Sequence, residues 1–173
     1  MRLYVVAYPE LRAADRKLID DSRRQYDRLY GMINEHFTLV FLVDDFTPAD
    51  FVAEVRKQVQ GARAFPFILR ACTINKDTFS DNYFAFLVPD KGNSNFIKLH
   101  DKLYSGKLAH HHRMDIDYIP HILIGTSQDK AVIKTIVDEW NAKNFEFQGN
   151  IRALDVISFE NGVTTLLDRI VLE

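Results

Sequence analysis

Apolar residues in this chain fall into short extended runs separated by stretches where they recur every three or four positions among charges. Met1 to Pro9 predicts a first strand. From Pro9 to Gly31, Leu11, Leu18, Ile19, Tyr26, Leu29 and Tyr30 fall at roughly helical spacing, and Gly31 is a suitable stop. His36 to Val43 predicts a buried strand with a histidine at its entrance. A period of two sets His36 and Thr38 on one face and Phe37, Leu39 and Phe41 on the other. Thr47 as N-cap and Pro48 at the first helical position then open a helix to about Gln60, with Phe51, Val52, Val55 and Val59 inward.

Phe65-Pro66-Phe67 opens an extended segment to about Asn75, and Tyr83 to Pro89 is a further strand able to pair with it as a hairpin. Asn93 to Leu108 reads as a helix and Ala109 to Pro120 as a polar, histidine-rich loop. His121 to Gly125 is a second histidine-led strand, with Leu123 on the face of His121 and Ile122 and Ile124 behind. Thr126-Ser127 offers a cap for a helix carrying Val132, Ile133, Ile136, Val137 and Trp140. After Phe145-Glu146-Phe147 the chain closes with strands Ile151 to Phe159 and Val163 to Leu172, joined at Asn161-Gly162, a strong hairpin signal.

Both halves thus run histidine strand, capped helix, Phe-x-Phe and strand pair. This order predicts an internal duplication and an α+β fold whose two pseudo-symmetric lobes present their histidine strands to a shared groove. At 173 residues we expect a single two-lobed domain over residues 1–173. With 47% hydrophobic and 27% charged residues, long disorder is not expected. Net charge is −2 and the pI about 6.3, which argues against broad duplex binding. Cys72, the single cysteine, lies in an apolar run and reads as a buried thiol, and its solitude fits a reducing compartment. The apolar N-terminus is too short for a signal peptide, and nowhere do about 18 uncharged apolar residues run together, so no membrane span is expected. A cytoplasmic monomer is the expectation.

The candidate chemistry rests on position: His36 and His121 open equivalent strands of a repeated unit. Two facing imidazoles suit phosphodiester chemistry. With an ordinary pKa of about 6.5, one ring can take a proton while the other gives one. The Thr38 hydroxyl, on the face of His36, is placed to donate to a non-bridging phosphate oxygen. This arrangement calls for no metal and no cofactor.

The motifs His36-Phe37-Thr38-Leu39 and Pro120-His121-Ile122-Leu123-Ile124 resemble those of the 2H phosphoesterases, the LigT-like group of 2′,3′-cyclic phosphodiesterases and 2′-5′ RNA ligases. The element order of nearly the whole chain is similar to theirs. The resemblance implies metal-independent cleavage or formation of RNA phosphodiesters, with the histidines as acid and base and Thr/Ser hydroxyls holding phosphate. The first motif matches in full. In the second, Leu123 stands at the Thr/Ser position, so that hydrogen bond comes from elsewhere, with Thr126 or Ser127 as nearby hydroxyls, or is absent. Two alternatives follow: a nucleotide- or RNA-end-binding module of the same fold with weakened turnover, and a phosphodiesterase for a small non-RNA cyclic phosphate.

Other candidates carry a plainer reading beside the functional one. His110, His111 and His112 with Asp115 and Asp117 invite a metal, but consecutive side chains splay, and a solvated loop is the expectation. Tyr118, Phe79 and Tyr83 are candidate base-stacking residues or packing residues. Arg152 and its counterpart Arg70 are candidate phosphate contacts or surface arginines. Arg12, Arg16, Lys17, Arg23, Arg24 and Arg28, interleaved with Asp15, Asp20, Asp21 and Asp27, read as a solvated mixed-charge helix face.

Overall fold

The computed structural model describes residues 1–173. Its elements in order are β1 (Leu3–Ala7), β2 (Glu10–Leu11), α1 (Ala13–Tyr26), β3 (Phe37–Val43), α2 (Pro48–Gln58), β4 (Phe65–Lys76) and β5 (Tyr83–Lys91). There follow α3 (Asn93–Leu103), a 3₁₀ turn (Gly106–His111), β6 (Ile122–Ser127), α4 (Lys130–Ala142), β7 (Phe147–Ile151), β8 (Ala153–Glu160) and β9 (Val163–Val171). Two sheets form, β3-β1-β8-β9 and β2-β7-β4-β5-β6, with every pairing antiparallel. The α+β class and the two lobes agree with the pattern of the sequence. A buried apolar cluster of 35 residues draws on both sheets, with Phe37 stacked on Phe96 at 4.1 Å and edge-on to Phe67 at 5.3 Å.

The repeat differs from the one drawn from the sequence. The two Phe-x-Phe segments are not equivalent, because they lead into β4 and β7, which pair with each other in one sheet. The last strand pairs also part company, β4–β5 in the second sheet and β8–β9 in the first. The matching units are β1-α1-β3-α2 and β5-α3-β6-α4. In each, the histidine-led strand lies antiparallel to the strand before it and forms one edge of its sheet. The histidine strands therefore belong to different sheets.

An edge strand leaves backbone groups unpaired, and here the helix of the opposite unit covers each one. Ser22 of α1 donates its hydroxyl to Ile124 O on β6 at 3.2 Å. On α3, buried His100 donates Nδ1–H to Leu39 O at 2.8 Å, and the Tyr104 hydroxyl accepts from Phe41 N at 2.8 Å. Burial holds the His100 pKa below its ordinary value, against the bond to Leu39 O, which favours the charged ring. Tyr104→Phe removes only the acceptor and strands the Phe41 N–H. It is expected to cost about 1–3 kcal/mol in urea unfolding, and a change below about 0.3 kcal/mol would refute this role.

Local differences have local causes. The first helix begins at Ala13 because Glu10–Leu11 pairs with β7, and it ends at Tyr26. There the Asp27 carboxylate turns back to accept from Leu29 N at 2.9 Å. Thr47 caps α2 as expected, its hydroxyl accepting from Asp50 N at 3.1 Å. The cap of α4 is Asp129, which accepts from Ala131 N at 2.8 Å, rather than Thr126-Ser127. Helix α3 stops at Leu103, and the 3₁₀ turn takes up part of the expected loop.

Candidate active site

The ends of β3 and β6 that carry the histidines meet at a groove between the sheets. His36, Thr38, His121 and Leu123 line one cavity of about 150 Å³, together with Arg23, Asp27, Leu29 and Glu35. On one side it opens toward Tyr4, Val6, Ile33, Ile157 and Phe159 of the first lobe. On the other lies a larger cavity of about 460 Å³ walled by Phe79, Phe84, Phe86 and Ile119, with Lys76 and Arg113 among its polar groups.

The rings of both histidines are held alike. Each Nδ1 contacts the carbonyl oxygen two residues earlier, His36 to Asn34 at 2.7 Å and His121 to Ile119 at 2.6 Å. A carbonyl only accepts, so Nδ1 carries the proton and Nε2 keeps a lone pair for proton exchange. Each ring keeps part of its edge exposed yet sits deep among protein atoms. This desolvation lowers both pKa values to about 4, the backbone bond opposing it in each case. The charge of His36 further disfavours protonation of His121. In the free protein both rings are therefore neutral at pH 7.

Each lobe has its own means of fixing its histidine. Residues 27–36 have no regular structure, and α1 clamps them. Arg23 Nε pairs with Asp27 at 2.8 Å while its Nη2 donates to Ile33 O at 2.7 Å, and Arg16 pairs with Glu35 at 2.8 Å. The Arg23–Asp27 pair is buried, at 4% and 1% side-chain exposure, which corrects its reading as part of a solvated face. Asp15 is also buried, paired with Arg12 at 2.8 Å. On the other lobe Phe86 stacks flat on His121, centroids 3.5 Å apart and planes 11° apart.

Phe41 departs from the expected alternation. Strict alternation turns it away from Thr38, yet it lines the groove on both sides. Bulges in the β1–β3 pairing, where Val6 opposes Thr38 but Val5 opposes Val40, shift the parity. Leu123 faces the groove beside His121 while Ile122 and Ile124 are fully buried, as the alternation requires.

The remaining candidates lie elsewhere. The Tyr118 hydroxyl donates to Thr38 O at 3.1 Å and its ring stacks on His100 at 3.5 Å, so it ties the loop before His121 to β3 and lines none of the groove cavities. Burial raises its pKa well above the ordinary tyrosine value. Arg152 pairs with Glu10 at 2.8 Å on the surface, and Arg70 with Asp90 and Glu146. Ser127 Oγ accepts from Asp129 N at 3.0 Å in the turn to α4. Thr126 lies opposite Phe84, its hydroxyl buried without a partner. Neither residue is among those that line the two cavities Leu123 faces. Phe79 does line the groove, 62% exposed, with the Arg113 guanidinium 5.0 Å from its ring centre. Cys72 is buried and its thiol is pushed up to about 12, an inert core group.

The sequence profile of the 2′-5′ RNA ligase superfamily matches residues 9–163. The chain belongs to this family, the 2H phosphoesterases. Solved structures agree in fold. TT0787 of Thermus thermophilus matches with a TM-score of 0.64 at 14% identity, over 99% of this chain and 98% of that one. E. coli LigT complexed with 3′-AMP gives 0.59 at 20% identity, over 99% and 97%. Usb1 of Kluyveromyces marxianus gives 0.57 at 10% identity, over 99% and 98%. No curated protein sequence matches significantly. No helix is long and apolar enough to cross a membrane.

Proposed function

We propose that this 2H phosphoesterase is a metal-independent phosphodiesterase for RNA or nucleotide ends that carry a 2′,3′-cyclic phosphate or a 2′-5′ linkage, with His36 and His121 as its acid–base pair. The observation that carries the reading is the like anchoring of the two rings in one cavity, each with Nδ1 bound to backbone and Nε2 free. In hydrolysis one Nε2 takes the proton of water as the water oxygen bonds to phosphorus. The other ring, as imidazolium, protonates the departing ribose oxygen, and the reverse reaction exchanges their roles. Thr38 donates to a non-bridging oxygen. A bound phosphodiester anion raises the pKa of the ring beside it, which supplies the imidazolium that the free protein lacks at neutral pH.

Residues 1–173 form one two-lobed domain in this reading, since its buried core draws on both sheets. Nucleotide substrates suit the aromatic walls of the groove, and the LigT structure with 3′-AMP and a Usb1 structure with uridine monophosphate support that class. The test is turnover of nucleoside 2′,3′-cyclic monophosphates and of a short RNA with a cyclic end, with chelator present. Sustained hydrolysis is expected. Thermal stabilisation by these ligands without turnover would favour the binding module instead, the reading that Leu123 supports. A shallow dependence of affinity on salt would point to a small cyclic phosphate over extended RNA.

Leu123 also gives a gain-of-function prediction. Leu123→Thr places a hydroxyl on the groove face beside His121 and is expected to raise kcat by up to about 100-fold, the worth of one well-aimed donor. An unchanged or lower kcat would show that no donor is missing there.

A further inference from the structure

The histidine run ahead of the second motif lies outside the groove; His110 stays solvated as expected, but its ring and that of His111 converge instead of splaying. Gly106–His111 is wound as a 3₁₀ turn, which brings the rings of His110 and His111 within 4.0 Å, tilted by 44°. Both meet Asp45, in the turn between β3 and α2. Asp45 Oδ1 lies 2.9 Å from His111 Nε2, and Oδ2 lies 3.7 Å from His110 Nε2. The donor atoms of all three residues fall within 4.8 Å of one another.

A second observation singles out this cluster. His111 Nε2 is buried and makes no hydrogen bond, although the Asp45 oxygen is within reach, so the carboxylate is out of line with the ring N–H direction. A buried nitrogen in that state costs free energy, and a metal ion between the groups would use its lone pair. Phe46 packs edge-on against the His111 ring at 5.9 Å and shields one side, while His110 and Asp45 stay exposed and leave a path from solvent. Tetrahedral ligands at about 2.0–2.1 Å from zinc stand about 3.3 Å apart; His111 Nε2 lies 2.9 Å from Asp45 Oδ1 and His110 Nε2 lies 3.7 Å from Asp45 Oδ2, so each imidazole is within a few tenths of an ångström of that spacing from one carboxylate oxygen. Two imidazoles and one carboxylate suit zinc-like ions, whereas calcium and magnesium prefer all-oxygen sites.

We propose that Asp45, His110 and His111 bind a zinc-like divalent transition metal and thereby pin the turn after β3 to the segment that leads into the groove wall. Arg113, Ile116, Asp117 and Ile119, just downstream, line the larger groove cavity, so the ion stiffens that wall from outside the groove. The inference does not depend on the proposed activity.

The test is zinc titration of the full chain by calorimetry after chelator treatment and its removal. One ion per chain is expected. Asp45→Asn, His110→Gln and His111→Gln should each weaken binding by at least about tenfold, since loss of even an outer-shell partner costs that much. His112→Gln and the double variant His36→Gln/His121→Gln should bind as the wild type does. Zinc should also slow amide exchange across residues 106–119 in the wild type and not in His111→Gln. Absence of binding in the micromolar range would overturn the proposal, as would loss confined to the His36/His121 double variant, which would place zinc in the groove. Each variant is compared only where its thermal midpoint without metal matches the wild type. If none of the three does, the wild-type exchange pattern decides, and protection outside residues 106–119 alone overturns the proposal.

Discussion

His36→Ala or His121→Ala is expected to lower kcat/KM for a 2′,3′-cyclic substrate by about 100-fold or more, with folding intact. In the proposed mechanism each ring acts at its free Nε2 on a different proton of the same displacement, so the double variant should fall little further than either single one. A folded single variant within about threefold of wild type would sink the paired mechanism. The pH profile gives an independent check. Both pKa values sit at about 4 in the free protein, so at pH 7 only about one ring in a thousand is protonated. kcat/KM should therefore rise as pH falls from 7 toward 5. The kcat profile should lie nearer neutrality, because bound phosphate favours the imidazolium. A kcat/KM that falls steadily below pH 7 would contradict this.

The same shifts bear on stability with a definite sign. A histidine whose folded pKa lies below its unfolded value contributes stability that is complete above about pH 6.5 and is lost as pH falls through about 4. The thermal midpoint should fall across that window, and less so in His36→Gln and His121→Gln.

The largest stability effect is expected at the Arg23–Asp27 pair. Asp27→Ala leaves a buried guanidinium without its carboxylate and should cost about 3–5 kcal/mol in denaturant unfolding. Replacing both partners, as Arg23→Met/Asp27→Leu, should recover most of that loss, since no charge is then left unpaired. The activity should not recover with it. Arg23 also holds Ile33 O and Asp27 also holds Leu29 N, so the double variant frees the segment that aims His36. Restored stability with kcat still depressed would show that the pair positions the histidine. Full recovery of both would make it a fold element only.

Much of this arrangement was legible in the chain because it is local. Period-two runs name β3, β6 and their inward residues, Thr47-Pro48 starts α2, and Asn161-Gly162 makes the closing hairpin with φ of 52° and 78°. His36 with Thr38 and His121 with Leu123 could likewise be named from their motifs, including the missing hydroxyl. The burial of Arg23 and Asp27 could not be read, because an i,i+4 charge pair has the same spacing on a solvated face as on one pressed against a loop. Nor could the turn of Phe41 into the groove, since a bulge depends on the partner strand. The true repeat units, β1-α1-β3-α2 and β5-α3-β6-α4, are not apparent from motif order, because strand order in a sheet is a long-range property while motif order is local.

The sequence by itself determined the alternation that places a histidine at the head of each of two strands, with Thr38 and Leu123 behind them on the same faces. Only the tertiary structure decided that these strands edge different sheets and meet across one groove. It also decided that each Nδ1 finds a carbonyl and that both rings are desolvated enough to stay neutral. The physical reason is that periodicity acts between neighbours along the chain, whereas burial and proton affinity depend on what distant segments bring to the same few ångströms.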